Sequence, residues 1–106
     1  MELTSKQRAQ LRGLANGIDT IIQVGKDGVT DGVVQQLDAA LTAREIVKGR
    51  VLENSLLTAR EACDELSVRT GSQQVQVIGS KFVLYRPSKS KDKKDRIVLV
   101  KAAKAK

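Results

Sequence analysis

Residues 75–86, VQVIGSKFVLYR, restrict the folds open to this chain more than any other stretch. Gly79-Ser80 separates two alternating apolar runs, and a two-residue connection with glycine first predicts a type II′ β-hairpin. So short a turn leaves one register: Ile78 opposite Lys81, Val77 opposite Phe82, Gln76 opposite Val83, Val75 opposite Leu84 and Gln74 opposite Tyr85. Side chains alternate along a strand. Val75, Val77, Phe82 and Leu84 therefore share one face, and Gln74, Gln76, Val83 and Tyr85 the other. The first of these faces needs helices to cover it.

Three helices can be read upstream. Thr4 with Gln7 forms a capping box that opens a helix over about residues 4–16, ended by Gly17. Leu11, Leu14 and Ala15 form its apolar face; Lys6, Arg8 and Arg12 lie off it. Thr30 caps a second helix, with Asp31 in its first turn and Val33, Val34, Leu37 and Leu41 at helical spacing. Thr58 and Glu61 form another capping box before a helix whose inner face is Ala59, Ala62, Cys63 and Leu66, stopped by Gly71. Two strands lie between the helices. Residues 19–24, DTIIQV, are β-branched and bounded by glycines; residues 45–52, EIVKGRVL, turn Val47 and Val51 one way and Lys48 and Arg50 the other.

The order α-β-α-β-α-β-β predicts a two-layer α/β domain with a four-stranded mixed sheet. Right-handed crossovers place the second and third helices on the same side. The other face is expected to be at least partly open, carrying Lys48, Arg50, Gln74, Gln76 and Tyr85.

Composition narrows the chemistry. A chain of 106 residues, 41% hydrophobic, suits one domain with a modest core. No apolar run approaches the ~20 residues that span a bilayer, and MELTSKQRAQ lacks a signal peptide's apolar segment, so a cytoplasmic protein is expected. With no histidine, the usual proton shuttle and Ser-His or Cys-His nucleophiles are absent. Cys63, among helix formers, reads as a small buried residue. Glu61, Asp64 and Glu65, flanked by Arg60 and Arg69, read as a solvated charged face rather than a metal site. No enzymatic activity, metal or cofactor is expected.

The net charge of +7 is unevenly placed. Residues 87–106 hold eight Lys or Arg against two Asp, and residues 1–86 hold 11 basic against 10 acidic groups. Residues 88–106 are therefore read as a basic, flexible electrostatic arm, with a short strand possible at 97–100, following a domain at residues 1–87. Within that domain the bases gather mainly in the first helix, the 25–28 loop, the second strand and the hairpin, and the acids on the second and third helices, on or beside which Arg44, Arg60 and Arg69 also lie.

The loop itself, Gly25-Lys26-Asp27-Gly28, has two readings. Glycines at both ends make a plain strand-to-helix turn. They also let a phosphate chain lie close to the backbone, beside the free N–H groups of the helix that follows. Asp27 and Asp31 oppose an anion there. From these residues alone the turn is the safer reading.

Taken together, Lys6-Gln7 through Leu14-Ala15, Val24-Gly25-Lys26-Asp27-Gly28-Val29-Thr30-Asp31-Gly32-Val33, Glu45-Ile46-Val47-Lys48, Val75-Gln76-Val77-Ile78-Gly79 and Leu84-Tyr85-Arg86-Pro87 resemble the CRM domain (chloroplast RNA splicing and ribosome maturation) and its stand-alone bacterial YhbY-type form. The likeness covers roughly residues 3–87. It implies a fold similar to the C-terminal domain of bacterial translation initiation factor three. It implies non-catalytic RNA binding, association with precursors of the large ribosomal subunit, and a Gly-x-x-Gly loop at Gly25 and Gly28 like that of KH domains. Under that resemblance the RNA-contact residues are Gly25, Lys26, Gly28, Lys48, Arg50, Lys6, Arg8, Arg12, Lys81 and Arg86. A monomer without a small-molecule substrate is expected. With only Phe82 and Tyr85 as aromatics, contact with backbone and shape fits better than base stacking. The alternative is a protein–protein adaptor on ribosomal particles with little RNA affinity of its own.

Overall fold

The computed structural model describes residues 3–88, 97 and 99. Three threonines start the helices, as their spacing predicts. Thr4 and Gln7 bond reciprocally, at 3.1 Å each way, ahead of α1 (Ser5–Ala15). The Thr30 hydroxyl accepts the Val33 N–H ahead of α2 (Asp31–Arg44), and Thr58 with Glu61 closes a second box ahead of α3 (Ala59–Thr70). The strands are β1 (Thr20–Val24), β2 (Ile46–Val51), β3 (Gln73–Ile78) and β4 (Lys81–Tyr85).

The sheet is mixed, in the order β1-β2-β4-β3. β1 and β2 pair in parallel, while β4 runs antiparallel to both of its neighbours. The last strand thus lies inside the sheet and β3 takes an edge. Side chains explain this. β4 buries Phe82 and Leu84 on one face and Val83 and Tyr85 on the other, which suits a strand covered on both sides. The glutamine-rich β3 tolerates an edge.

Two cores flank the sheet. α2 and α3 cover one face, as the crossover rule predicts, and close over Ile22, Val24, Val47, Phe82 and Leu84. α1 crosses the other face, where Leu3, Leu11 and Ala15 pack on Ile46, Val75, Val83 and Tyr85. The uncovered area is therefore smaller than expected. Tyr85, predicted to be on the open face, is only 2% exposed beneath α1. An amphipathic helix must bury its apolar stripe, and this is the face that α2 and α3 leave.

The hairpin register needs a second correction. Ile78–Lys81, Val77–Phe82 and Gln76–Val83 pair as the turn dictates, but Gln74 then pairs with Leu84 and Gln73 with Tyr85. Val75 is the extra residue of a β-bulge, and the bulge reverses the faces beyond it. Val75 joins the core under α1, while Gln74 turns toward α3 and bonds Asp64 at 2.6 Å and Arg60 at 3.1 Å. Without the bulge both valines would face α3 and α1 would lose a partner.

Glu45, between α2 and β2, is fully buried with φ of +68°, a strained conformation for a residue with a Cβ. Its carboxylate accepts the N–H of Ser88 at 2.6 Å and that of Ile97 at 2.7 Å. These bonds replace the water that a buried charge gives up. Ile97 and Leu99 pack against the α1-side core. The rest of the predicted basic arm, and of the strand at 97–100, lies outside the described residues.

Candidate nucleic-acid interface

Three connections meet at the carboxyl end of β1 and β2. The Leu52 N–H donates to the Val24 carbonyl at 2.8 Å, and the Val51 N–H to the Ser80 carbonyl at 2.7 Å. The turn at 25–28, the segment at 52–57 and the hairpin turn therefore lie side by side. Open α/β sheets commonly bind ligands at this end. An open groove of about 620 Å³ is found there, with Arg50, Ser55, Thr58 and Ser80 in its lining.

The two glycines of the first turn have different jobs. The Gly28 N–H donates to the Gly25 carbonyl at 3.0 Å, leaving Lys26 and Asp27 exposed at the tip. Gly28 has φ of +72°, so the turn itself calls for glycine. Gly25 carries no such demand: a Cβ there would lie 3.7 Å from Leu52 Cδ1 and 3.8 Å from Asn54 Oδ1, ordinary contacts. The fold needs one of these glycines; the other leaves the backbone bare. Asp31, at the start of α2, is paired with Arg69 at 2.8 Å, which offsets its charge at that helix end.

Basic residues divide into two populations. Among the described residues every ion pair lies on the α2–α3 layer: Arg69 with Asp31 and Glu65, and Arg86 with Asp38. The side chains of Lys6, Arg12, Lys26, Lys48, Arg50 and Lys81 make no hydrogen bond or ion pair among the described residues. Lys48, Arg50 and Lys81 come together, because Arg50 pairs across the strands with Lys81 and Lys48 with Val83. They stand on the face crossed by α1, past the end of that helix, with Gln76 and Ile78 beside them on β3. Arg44, exposed at the end of α2, is a further unpaired cation that lines a shallow pocket with Lys48 and the Asp19 carboxylate, and Glu53 lines the groove beside Arg50.

Two of the sequence-predicted residues stand elsewhere. The Arg86 guanidinium spends both terminal nitrogens inside the fold, donating to Asp38 Oδ1 at 2.6 Å, the Thr70 carbonyl at 2.8 Å, the Asp38 carbonyl at 3.0 Å and Thr42 Oγ1 at 2.9 Å. It clamps the end of β4 to both helices on the layer opposite α1. Arg8 Nε donates to the Gln74 carbonyl at 3.2 Å, capping the bulge on the outer strand. Lys6 and Arg12 are exposed on α1. Asn16, Gln76 and Ile78 border the cationic group; strand alternation already puts Gln76 on that face, whereas only the end point of α1 places Asn16 there.

Cys63, the single cysteine of the chain, lies fully buried in the α2–α3-side core. Burial pushes the Cys63 thiol up to about 12, the Asp64 carboxylate adds to the rise, and Arg60 offsets part of it. A thiol reagent at neutral pH is expected to label Cys63 only once the protein is unfolded, as read by mass spectrometry. No group of three or more potential metal ligands occurs among the described residues, and no helix there is long and apolar enough to cross a membrane.

A family model, the CRS1/YhbY (CRM) domain, matches residues 3–86. The chain is 42% identical over 87 residues to the "Probable RNA-binding protein YqeI" of Bacillus subtilis, covering 82% of this chain and 91% of that one. It is 35% identical over 86 residues to the "RNA-binding protein" of Haemophilus influenzae, covering 81% and 87%. The solution structure of the Staphylococcus aureus protein SAV1595 matches with a TM-score of 0.72 at 41% identity, covering 92% of this chain and 99% of that one. Because the matched span runs from Leu3, packed beneath α1, to the Arg86 clamp and takes in every helix and strand between them, the chain belongs to the CRS1/YhbY (CRM) domain family.

Proposed function

We propose that this protein binds structured ribosomal RNA, without catalysis, during assembly of the large ribosomal subunit in the cytoplasm. The observation that carries the reading is the unpaired group Lys48, Arg50 and Lys81 on uncovered sheet, at the end of the domain that also bears the bare Gly25 backbone and Lys26. Cations without protein partners are free to replace counterions along a phosphate chain. The relatives named as RNA-binding proteins support the same reading. Lys6 and Arg12 on α1 extend the surface, and the protein acts as a monomer. Arg86 is left out, since both its terminal nitrogens are bonded to α2 and α3.

The two glycines offer a clean test. Gly25→Ala keeps stability within about 0.5 kcal/mol, because its Cβ meets only ordinary contacts. It weakens RNA binding several-fold by standing a methyl group where the sugar-phosphate chain lies. Gly28→Ala costs about 1 kcal/mol or more through its positive φ. Lys26→Glu lowers affinity several-fold with the melting temperature unchanged. Thermal melts and filter binding on one ribosomal RNA fragment read all three. Unchanged affinity for both Gly25→Ala and Lys26→Glu reduces the loop to a turn. In lysate fractionated on a sucrose gradient, the protein comigrates with large-subunit precursors; recovery only at the top counts against the assembly role.

A further inference from the structure

We propose that the cleft between the end of α1 and the sheet receives one unstacked RNA base, bulged or looped out of a folded RNA; this deepens the RNA-binding reading and rests on it. The cleft holds about 150 Å³, room for one heteroaromatic ring system and not for a stack of two. Its floor is apolar: Ala15 is 1% and Val83 2% exposed. The amide side chains of Asn16 and Gln76 form its walls, and Lys48 and Lys81 stand at its rim. Ile78, 63% exposed on the outer strand, completes the apolar side.

Each feature matches a part of a nucleotide. An amide carries both donors and an acceptor, as the edge of a base does. Neither Asn16 nor Gln76 spends its side chain on a hydrogen bond among the described residues. The flat face of the base covers Ala15, Val83 and Ile78, and the two ammonium groups meet the phosphates on either side. A neutral apolar side chain from a protein would fill the floor and leave both lysines uncompensated. Paired bases cannot enter, because pairing and stacking hold them inside the A-form helix, whereas an unstacked base is free to splay out of it. The cleft holds no exposed aromatic ring, so the base is held by its edge and not by stacking.

The test compares RNA hairpins by fluorescence anisotropy: one fully paired, one with a single bulged nucleotide carrying each of the four bases in turn, and one with an abasic bulge. With at least one base, the bulged hairpin binds roughly tenfold tighter than the paired one, the equivalent of one or two hydrogen bonds. The abasic bulge loses that gain, which separates the base from mere backbone flexibility. The double variant Asn16→Ala/Gln76→Ala binds the paired hairpin as the parent does and shows no preference for the bulge. Equal binding of all hairpins, or a preference that survives in the double variant, overturns the cleft assignment. In either case the RNA reading stands so long as Lys48→Gln weakens every hairpin. No binding to any hairpin overturns both.

Discussion

Gly49→Ala is expected to lower the melting temperature by roughly 5–20 °C, the equivalent of about 1–3 kcal/mol in a domain of this size. Gly49 sits in β2 directly across from Phe82 of β4. A Cβ on it would lie 2.5 Å from Phe82 Cζ, 2.7 Å from Cε1 and 3.2 Å from Ile22 Cβ. The Phe82 ring is 1% exposed and enclosed by α2, α3 and the sheet, so it has nowhere to swing. The missing side chain is thus a fitted space for the one large aromatic of that core. Shortening the ring should release the conflict. On a Phe82→Leu background, Gly49→Ala costs markedly less than on the parent, a coupling that a double-mutant cycle of thermal melts measures. An unchanged melting temperature for Gly49→Ala alone shows that the ring yields freely and that this part of the core is loosely packed.

The second large effect concerns binding. Lys48→Gln/Arg50→Gln/Lys81→Gln is expected to weaken binding to structured RNA on the order of a hundredfold at about 0.1 M salt. Each lost phosphate contact removes roughly 0.7 from the log–log salt slope on a single strand and roughly 0.9 on a duplex, so three removals make it shallower by about 2–3. Stability changes little, since these side chains hold no partners among the described residues. The comparison that matters is Gln35→Glu/Ala39→Glu/Val68→Glu, which makes the same change in net charge on the exposed side of the α2–α3 layer. Charges beyond a Debye length, about 10 Å at this salt, are largely screened, so that variant loses several-fold at most. Equal losses in the two variants mean that net charge alone, not the placement of Lys48, Arg50 and Lys81, governs affinity.

The site was only partly legible in advance. Lys48 and Arg50 on one side of β2 follow from strand alternation, and Lys81 from the two-residue turn; both signals are short-ranged. Nothing near Arg86 in the sequence marks it as occupied, because its partners, Asp38, Thr42 and Thr70, are remote along the chain. The carbonyls of Thr70 and Asp38 that it binds leave no trace in composition. Plain alternation puts Gln74 on the wrong face, because a bulge has no local signature here: a run of QQVQV alternates well with or without it. Asn16 and Gln76 become neighbours only once α1 lies across the sheet.

Helix starts, the hairpin turn, the sequence of elements and the shared side of α2 and α3 are properties of the chain itself. Each rests on interactions spanning a few residues or on backbone handedness, and these act before any core exists. The placing of β4 within the sheet, the burial of Tyr85, the slip at Val75 and the uncovered patch of cations were decided by tertiary structure. Each depends on which apolar surface remains when α1 seeks cover, a competition between distant segments that no local pattern records.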